Sequence, residues 1–442
     1  MNKIKFTHYY CTLLFLLLAT STVFSQKIPK RKIKKLIENS EILNEHFTGF
    51  ALFDQDKDKM IFEQNGNKHF VPASNTKMHT LYTVLEMLGD SIPALKYVVK
   101  GDSLIFWGTG DPTLHYSTFK SDKVLDFLKK SEKQLFFVPT NYKGEFYGSG
   151  WNYDDYLEDF QPELTAFPVE GNTVKVYKKE NDELEIDPSF FKKNFKVDPH
   201  FNSQIYTIKR DFYTNQFSYP VTISKKGYLQ EIPFKTSPET TVALLKEKTN
   251  KVISLIDIEL PKEYKIIYSE KTDDVLRKMM LVSDNFIAEQ MLLVCASTLS
   301  NELSTKDIID YSKTHFMKEF ANEISWVDGS GLSRYNLFKP NSSIELLKKI
   351  SLKVNNEERL HSLFPAGGVS GTLKRAYKTD NGIPFVWAKT GTLTNVYNQS
   401  GYIITKKGKK LIFAFMNNNS MRTTDEIRSE MARIITEIHN KY

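Results

Sequence analysis

A change of pattern in the middle of the chain constrains the fold more than any other sequence feature. Before about Ser91 and after about Lys265, apolar residues recur at helical spacing or form compact strand-like runs. Between those points, short strand-like runs such as YVVKGDSLIFWGTG and TVKVYKK alternate with turns, and long helical patterns are scarce. An insertion inside a parent domain explains this order better than separate domains arranged along the chain.

The sequence therefore predicts an α+β fold with two regions. Residues 26–92 and 266–442 are expected to form the parent domain, and residues 93–265 a β-rich insertion of one or two small domains. A chain of 442 residues is longer than a single core normally supports, which agrees with this division.

Several elements of the parent domain can be predicted from their periodicity. The segment GFALFDQDKDKMIFEQN predicts two strands around a polar turn at residues 54–58. Helices are predicted after Ser74, after Thr272 as a cap, in SSIELLKKISLKV and in the C-terminal TTDEIRSEMARIITEIHNKY. The segments FVWAKTGTLT, QSGYIIT and KLIFAFMNN predict three successive strands.

The first 25 residues have the features of a secretory signal peptide. Lys3 and Lys5 precede an apolar run, and Val23-Phe24-Ser25 supplies small residues where a signal peptidase cuts. We expect cleavage after Ser25 and a periplasmic product. The apolar run is shorter than the roughly 20 residues that span a bilayer, so an uncleaved anchor is the weaker alternative. No later segment is long and apolar enough to span a membrane, so no stable span is expected after cleavage.

Composition excludes some classes of function. Without Lys3 and Lys5, the formal charge of +7 becomes +5, and this mild excess argues against a nucleic-acid partner. Cys295 is the single cysteine of the mature chain, lies in an apolar helical pattern and is expected to be a buried structural thiol. The nine histidines contain no His-Glu-Xaa-Xaa-His cluster, so neither a metal site nor a cofactor is predicted.

Ser74 and Lys77 form a Ser-Xaa-Xaa-Lys pair at the start of a predicted helix. Three-residue spacing places both side chains on one helix face, where a lysine can act as general base on a serine hydroxyl. The alternative is that Ser74 is only a helix cap. The same spacing recurs at Ser117 to Lys120 and at Ser189 to Lys192, which we interpret as chance in a lysine-rich chain.

Two further motifs follow Ser74 in the chain. Ser283-Asp284-Asn285 lies beside a predicted helix, and Lys389-Thr390-Gly391 lies at the end of a predicted strand. Taken singly, Ser283 could cap a helix, and the second motif could be a charged strand that ends in a turn. The three motifs in this order are the signature of penicillin-binding proteins and class A β-lactamases.

The chain resembles the class C low-molecular-mass penicillin-binding proteins, the D-alanyl-D-alanine carboxypeptidases and endopeptidases of peptidase family S13. The resemblance runs from about Gly49 to the end and includes GTGDPTL, DGSGLSRYN and GGVSGTLKRAY. It implies a β-lactamase/DD-peptidase-like domain, with an antiparallel sheet flanked by helices. It also implies that the β-rich insertion lies between the Ser-Xaa-Xaa-Lys and Ser-Xaa-Asn motifs.

The resemblance implies roles for five catalytic residues. Ser74 would attack the carbonyl of the penultimate D-alanine, and Lys77 would accept its proton. Ser283 and Lys389 would relay a proton to the leaving amine, and Asn285 would bind the substrate backbone.

The resemblance also implies a binding groove. Backbone N–H groups of Ser74 and Thr392 would form the oxyanion hole. Thr390, Gly391 and Thr392 would bind the substrate and its terminal carboxylate together with Lys389. Asp155 and Arg334 would meet the diamino-acid side chain of the stem peptide; the alternative is that both are merely exposed charges.

The predicted function is a serine DD-peptidase of peptidoglycan that forms an acyl-enzyme on Ser74. It would cleave terminal D-Ala-D-Ala or D-alanyl cross-links, so its expected partners are stem peptides and β-lactams, with no cofactor. One alternative is a serine β-lactamase, although no Glu-Xaa-Glu-Leu-Asn-like segment is found between Ser74 and Ser283. The other is a catalytically silent cell-wall-binding homologue, although each motif residue is retained.

Overall fold

The computed structural model describes residues 30–442, except 117–118, 120–121, 180–182, 203–206, 224–226 and 380. The predicted signal peptide and the chance pair at Ser117 and Lys120 lie outside the described residues.

Sixteen strands are found in the described part of the chain. In chain order they are β1 (Phe47–Asp54), β2 (Lys59–Gln64), β3 (Ser91–Lys100), β4 (Ser103–Gly108), β5 (Gln134–Val138), β6 (Thr173–Lys178), β7 (Leu184–Asp187), β8 (Phe195–Val197), β9 (Lys209–Arg210), β10 (Phe217–Tyr219), β11 (Leu229–Pro233), β12 (Ile253–Leu255), β13 (Lys265–Lys271), β14 (Val386–Leu393), β15 (Val396–Ile404) and β16 (Lys410–Asn418).

Ten α-helices are found among the same residues. They are α1 (Lys30–Glu38), α2 (Lys77–Met87), α3 (Lys123–Lys130), α4 (Pro238–Thr249), α5 (Thr272–Leu281), α6 (Asn285–Leu299), α7 (Thr305–Phe316), α8 (Pro340–Val354), α9 (Glu357–Ser362) and α10 (Thr424–Lys441). Within the described residues, no helix combines the length and the apolar composition that are needed to cross a membrane.

A five-stranded antiparallel sheet joins the two ends of the chain. Its order is β14-β15-β16-β1-β2, so the first hairpin is hydrogen-bonded to the last three strands. Side chains alternate between the two faces of each strand, because the side-chain period of a strand is two residues. Almost every residue of β1, β15 and β16 is buried, so both faces of the sheet are covered. A helical layer lies on each face.

The two helical layers follow from this alternation. Phe50 and Phe415 point to the face that is covered by α1 and α10, and their rings lie 4.8 Å apart. Ala51 and Ala414 point to the other face, which is covered by α2, α5, α6 and α8. In α6 every residue from Phe286 to Ser297 is buried, so this helix forms the centre of the second layer. The predicted α+β fold is confirmed.

Residues 93–265 supply three further sheets. Their orders are β12-β5-β4-β3-β13, β11-β6-β7 and β8-β10-β9, and α3 and α4 are the α-helices described between β3 and β13. The predicted boundaries at residues 92/93 and 265/266 fall in β3 and β13, which pair with each other in antiparallel fashion. The chain therefore leaves and re-enters the parent region along two neighbouring strands. The division into domains stays a prediction.

Most of the elements predicted from periodicity are found, but the cap predicted at Thr272 is wrong. Thr272 is the first residue of α5 rather than its cap, and its hydroxyl donates to the carbonyl of Gly89 at 2.6 Å. At α6 the cap is Asp284 and not Ser283, because the Asp284 carboxylate accepts the N–H of Ile287 at 2.9 Å. Cys295 is fully buried, as expected.

The packing of Phe50 generates a stability prediction. Phe50 is fully buried, whereas Phe47 in the same strand is 66% exposed. Phe50→Ala should lower the free energy of unfolding by about 3–5 kcal/mol, because it removes buried apolar area and leaves a cavity. Phe47→Ala should change the free energy of unfolding by less than about 0.5 kcal/mol. Chemical denaturation of both variants measures this, and equal effects would contradict the assigned strand register.

Candidate active site

Ser74 lies in a short turn that leads directly into a buried helix. Residues Ala73–Thr76 form a 3₁₀ turn, and Lys77 is the first residue of α2. Ser74 is half-buried, and its Oγ accepts a hydrogen bond from Lys77 Nζ at 3.1 Å. Thr76 and not Ser74 occupies the cap position of α2. The cap interpretation of Ser74 is therefore wrong, and its hydroxyl is paired with the lysine instead.

Amide side chains from the central sheet hold this turn in place. Asn398 Nδ2 in β15 donates to the carbonyls of Val71 and Pro72 at 3.0 and 2.9 Å. Asn418 Oδ1 in β16 accepts the N–H of Val71 at 2.7 Å. The backbone just before Ser74 is thus bonded to two strands of a rigid sheet, which fixes the position of the hydroxyl.

Lys77 joins the first two motifs. Its side chain is fully buried, and its Nζ donates to Asn285 Oδ1 at 2.6 Å and to the carbonyl of Ser330 at 2.8 Å, besides Ser74. Burial lowers the pKa of Lys77 to about 8, since a charged ammonium is poorly solvated there. A lysine with this pKa is partly neutral near physiological pH and can accept a proton.

Three neighbouring carboxylates oppose this shift. The negative charges of Asp328, Asp284 and Glu289 favour the protonated form of Lys77 and so raise its pKa, against the effect of burial. The position of each carboxylate therefore affects the protonation of the lysine.

Lys389 joins the second and third motifs in the same way. Its side chain is fully buried, and its Nζ donates to Ser283 Oγ and to the carbonyl of Thr390, both at 2.8 Å. Burial lowers the pKa of Lys389 well below its usual value, and the charge of Lys77 lowers it further. The structure thus contains two serine–lysine pairs, both in an environment that destabilises ammonium charge.

Asp328 and Glu289 organise the loop that contacts Lys77. Asp328 accepts the N–H groups of Gly331 and Ser333 at 2.9 and 2.7 Å and the indole N–H of Trp151 at 2.9 Å. Glu289 on α6 accepts the N–H groups of Gly329 and Ser330, at 2.9 and 2.7 Å. These bonds aim the carbonyl of Ser330 at the lysine.

Asp284 is fixed by the inserted region. One carboxylate oxygen caps α6, and the other accepts the hydroxyl of Tyr116 at 2.8 Å. Burial raises the pKa of Asp284, whereas the bonds from Ile287 and Tyr116 lower it. Asp284 is the middle residue of the Ser283-Asp284-Asn285 motif. Its bond from Tyr116 therefore supports this motif from the inserted region.

The third motif approaches the Ser74 turn so closely that Gly391 has no room for a side chain. A Cβ atom at Gly391 would lie 2.4 Å from the carbonyl oxygen of Pro72 and 3.1 Å from the backbone nitrogen of Ser74. Next to it, the Thr390 hydroxyl donates to the hydroxyl of Thr372 at 2.7 Å. The end of β14 therefore forms one wall of the site in direct contact with the turn.

A cleft of about 500 Å³ opens over these motifs. Among the predicted site residues, those that line the cleft are Ser74, Asp155, Ser283, Asn285, Arg334, Thr390 and Thr392. Lys77 and Lys389 lie behind this surface, as their full burial requires. A larger cleft of about 630 Å³ between α1 and α10 contains none of the predicted site residues.

Asp155 and Arg334 both line the cleft but differ in exposure. Asp155 is half-buried and accepts a hydrogen bond from Asn152 Nδ2 at 3.1 Å, whereas Arg334 is exposed. Burial raises the pKa of Asp155, and the charge of Arg334 opposes the rise. Among the described residues, no group of three or more His, Cys, Asp or Glu side chains could hold a metal ion.

Sequence reasoning assigned no role to Tyr116, Glu289, Asp328 or Thr372. Asp328 and Thr372 do lie in DGSGLSRYN and GGVSGTLKRAY, so the resemblance pointed to their segments but not to their contacts. Tyr116 and Glu289 lie outside the motifs quoted for the resemblance, and only the folded arrangement identifies them.

The sequence of this chain matches the model of one protein family. The D-Ala-D-Ala carboxypeptidase 3 (S13) family model matches residues 30–204 and 266–438. The chain belongs to this family. The family predicted from the motifs is therefore confirmed.

Two curated relatives match shorter parts of this S13 chain. The D-alanyl-D-alanine carboxypeptidase DacB of Haemophilus influenzae is 32% identical over 186 residues, which are 39% of this chain and 37% of that protein. The penicillin-sensitive carboxypeptidase A of Dictyostelium discoideum is 25% identical over 183 residues, 39% of this chain and 35% of that protein. The aligned segments thus span little more than a third of the length of either relative.

Solved structures show the same fold over nearly the whole S13 chain. Penicillin binding protein 4 of Haemophilus influenzae superposes with a TM-score of 0.68 and 20% identity, covering 94% of this chain and 99% of that chain. The same protein in complex with a β-lactam gives a TM-score of 0.65 and 19% identity, with the same coverage.

The close approach of Gly391 generates a prediction. Gly391→Ala should displace β14 from the Ser74 turn and reduce the rate of acylation by a fluorescent penicillin at least about 100-fold, since misplacement by 1 Å can cost that much. Gly89→Ala is the matched control, because a Cβ atom at Gly89 meets nothing within 4 Å. Thermal unfolding would establish that both variants fold. A Gly391→Ala protein that is acylated at the original rate would contradict the contact.

Proposed function

We propose that this protein is a serine DD-peptidase of peptidoglycan that cleaves terminal D-Ala-D-Ala bonds or D-alanyl cross-links. The observation that carries the proposal is the buried Lys77 amine, which bonds both Ser74 and Asn285 at the bottom of an open cleft. Membership of the S13 family supports the same reaction class. The complex of the Haemophilus influenzae penicillin binding protein 4 with a β-lactam supports β-lactams as ligands of this cleft.

Acylation begins at the first serine–lysine pair. Neutral Lys77 accepts the proton of the Ser74 hydroxyl as Ser74 Oγ attacks the carbonyl carbon of the penultimate D-alanine. The bond to the leaving amine then breaks, and an ester links Ser74 to the substrate. Asn285 donates a hydrogen bond to the substrate backbone.

The second pair provides the proton for the leaving amine. Lys389 and Ser283 are hydrogen-bonded to each other, and Ser283 Oγ lines the cleft. Ser283 donates its proton to the leaving nitrogen, and the proton that Lys77 took from Ser74 restores it through this second pair, so the site has neither gained nor lost a proton when the ester has formed. Water subsequently hydrolyses the ester and releases the shortened peptide.

Two backbone N–H groups stabilise the negative charge that develops on the carbonyl oxygen of the substrate. The N–H groups of Ser74 and Thr392 donate to the developing negative charge, and the loss of one such donor costs about 3 kcal/mol in the transition state. Thr390, Gly391 and Thr392 at the end of β14 pair with the substrate as an added strand. The Thr390 and Thr392 hydroxyls receive the terminal carboxylate, together with Lys389.

Asp155 and Arg334 recognise the diamino-acid side chain of the stem peptide. Their opposite charges at one cleft suit a side chain that ends in an ammonium and a carboxylate. In this proposal, the inserted region of residues 93–265 contributes a wall of the cleft to a parent domain of residues 26–92 and 266–442. The protein is exported to the periplasm, with its signal peptide cleaved after Ser25.

Labelling with a fluorescent penicillin tests the function and separates it from the alternatives. The wild-type protein should bind the label covalently and lose it slowly, and Ser74→Ala should not be labelled, because the ester forms on Ser74 Oγ. Ser189→Ala is the matched control from the chance Ser-Xaa-Xaa-Lys pair and should be labelled normally. Rapid loss of the label would indicate a β-lactamase. Labelling without hydrolysis of a D-Ala-D-Ala peptide would indicate a silent homologue.

The pKa of Lys77 predicts how acylation depends on pH. Only neutral Lys77 accepts a proton, so the acylation rate should rise with pH, with a midpoint at about 8. Asp284→Asn removes a negative charge that raises this pKa, so the midpoint should move to lower pH. Stopped-flow acylation from pH 5 to about 10 measures both midpoints.

The asparagine of Asp284→Asn can still accept the N–H bond that caps α6. The variant therefore tests the effect of the Asp284 charge on the pKa of Lys77 rather than the formation of the helix. The matched control is Asp310→Asn, which removes an exposed carboxylate from α7. A midpoint that moves to higher pH in Asp284→Asn, or moves equally in both variants, would contradict the role of Lys77 as base.

A further inference from the structure

Four aromatic side chains form a partly exposed patch on the inserted region. Tyr153 and Tyr213 are 78% and 80% exposed, and Phe212 is 38% exposed. The rings of Tyr156 and Phe212 lie 4.9 Å apart, and those of Phe212 and Tyr213 lie 5.1 Å apart, in edge-to-face contacts. We call Tyr153, Tyr156, Phe212 and Tyr213 the aromatic platform.

The local backbone brings Tyr153 to the same surface as the other three rings. Residues Tyr153–Leu157 form a 3₁₀ turn. Side chains three residues apart lie on the same side of such a turn, so Tyr153 shares a side of the turn with Tyr156. The platform therefore combines one turn of this helix with the tip of the β9–β10 hairpin.

A buried arginine contacts two parts of the platform. Arg210 is only 1% exposed, and its guanidinium lies over the Tyr156 ring, 5.2 Å from the ring centroid. Its Nη1 donates to the carbonyls of Asp211, Phe212 and Thr214 at 2.7, 3.3 and 3.3 Å. Burying a guanidinium costs free energy unless it is hydrogen-bonded. Here the bonds go to the tip of the β9–β10 hairpin and the cation lies over the Tyr156 ring, so Arg210 holds the hairpin tip against this ring.

The platform is continuous with the catalytic cleft. The 3₁₀ turn that carries Tyr153 and Tyr156 also carries Asp155, which lines the cleft. Asn152, Phe160 and Gln161 on either side of this turn line the cleft as well. A substrate that is larger than the peptide in the cleft would extend over the platform.

We propose that the aromatic platform binds the glycan strand to which the stem peptides of peptidoglycan are attached. This inference rests on the proposed function. Pyranose rings present flat C–H faces that stack on exposed aromatic rings, and rigid aromatic side chains lose little entropy on binding. The exposed carboxylates of Asp154 and Asp211 at the platform disfavour a polyanionic ligand and favour a neutral, hydroxyl-rich one.

A second copy of the chain is a poorer fit for this surface. The three most exposed rings, Tyr153, Phe212 and Tyr213, supply about 500 Å² at most. A stable protein interface buries about 800 Å² from each partner. The area suits a few sugar rings better than a dimer.

The double variant Phe212→Ala, Tyr213→Ala tests the proposal. Arg210 bonds the backbone carbonyl of Phe212 and not its ring, so the hairpin tip should keep its conformation. The kcat/KM for release of D-alanine should fall about tenfold on glycan-linked stem peptides and stay unchanged on free pentapeptide, the difference expected from the loss of two stacking contacts. Tyr268→Ala, which removes a 49% exposed tyrosine from β13, is the matched control and should leave both values unchanged.

A binding measurement separates failure of this proposal from failure of the proposed function. Neutral N-acetylhexosamine oligosaccharides should bind the wild-type protein and Tyr268→Ala with equal affinity and the double variant about tenfold more weakly. This readout needs no hydrolysis, so it stands even if free pentapeptide is not cleaved. Equal binding by all three proteins, equal loss on free and glycan-linked peptide, or dissociation of a dimer by the double variant would each overturn the proposal.

Discussion

The arrangement of the site depends on the burial of two lysine side chains that would normally be in water. An ammonium group without solvent is destabilised unless polar groups surround it. Lys77 receives three such contacts, from Ser74, Asn285 and the carbonyl of Ser330. The same contacts hold the Lys77 amine beside the Ser74 hydroxyl. They therefore both offset the cost of burying the lysine and position it next to the serine.

Keeping Lys77 in place requires contacts from distant parts of the chain. Ser330 is held by the Glu289 carboxylate on α6, and the turn before Ser74 is held by Asn398 on β15. Gly391 allows β14 to reach the same turn. The site therefore lies where a helix layer, a loop and the central sheet meet, and a rigid scaffold on all sides is what keeps a hydroxyl and an amine at hydrogen-bond distance.

The sequence could predict the motif residues but not the contacts that support them. Ser74 and Lys77 lie three residues apart on one helix turn, so local geometry already places them together. Tyr116 and Asp284 are separated by 168 positions, and no short pattern encodes their hydrogen bond. The cap predicted at Thr272 was wrong because a threonine at a helix start suits either the cap or the first helical position, and the contact with Gly89 decided between them.

The inserted region bonds directly to two of the motif segments. Tyr116 donates to the Asp284 carboxylate, and Trp151 donates to Asp328. Both acceptors are charges that raise the pKa of Lys77. Contacts from the inserted region therefore fix two carboxylates, of Asp284 and Asp328, whose charges act on the same buried lysine.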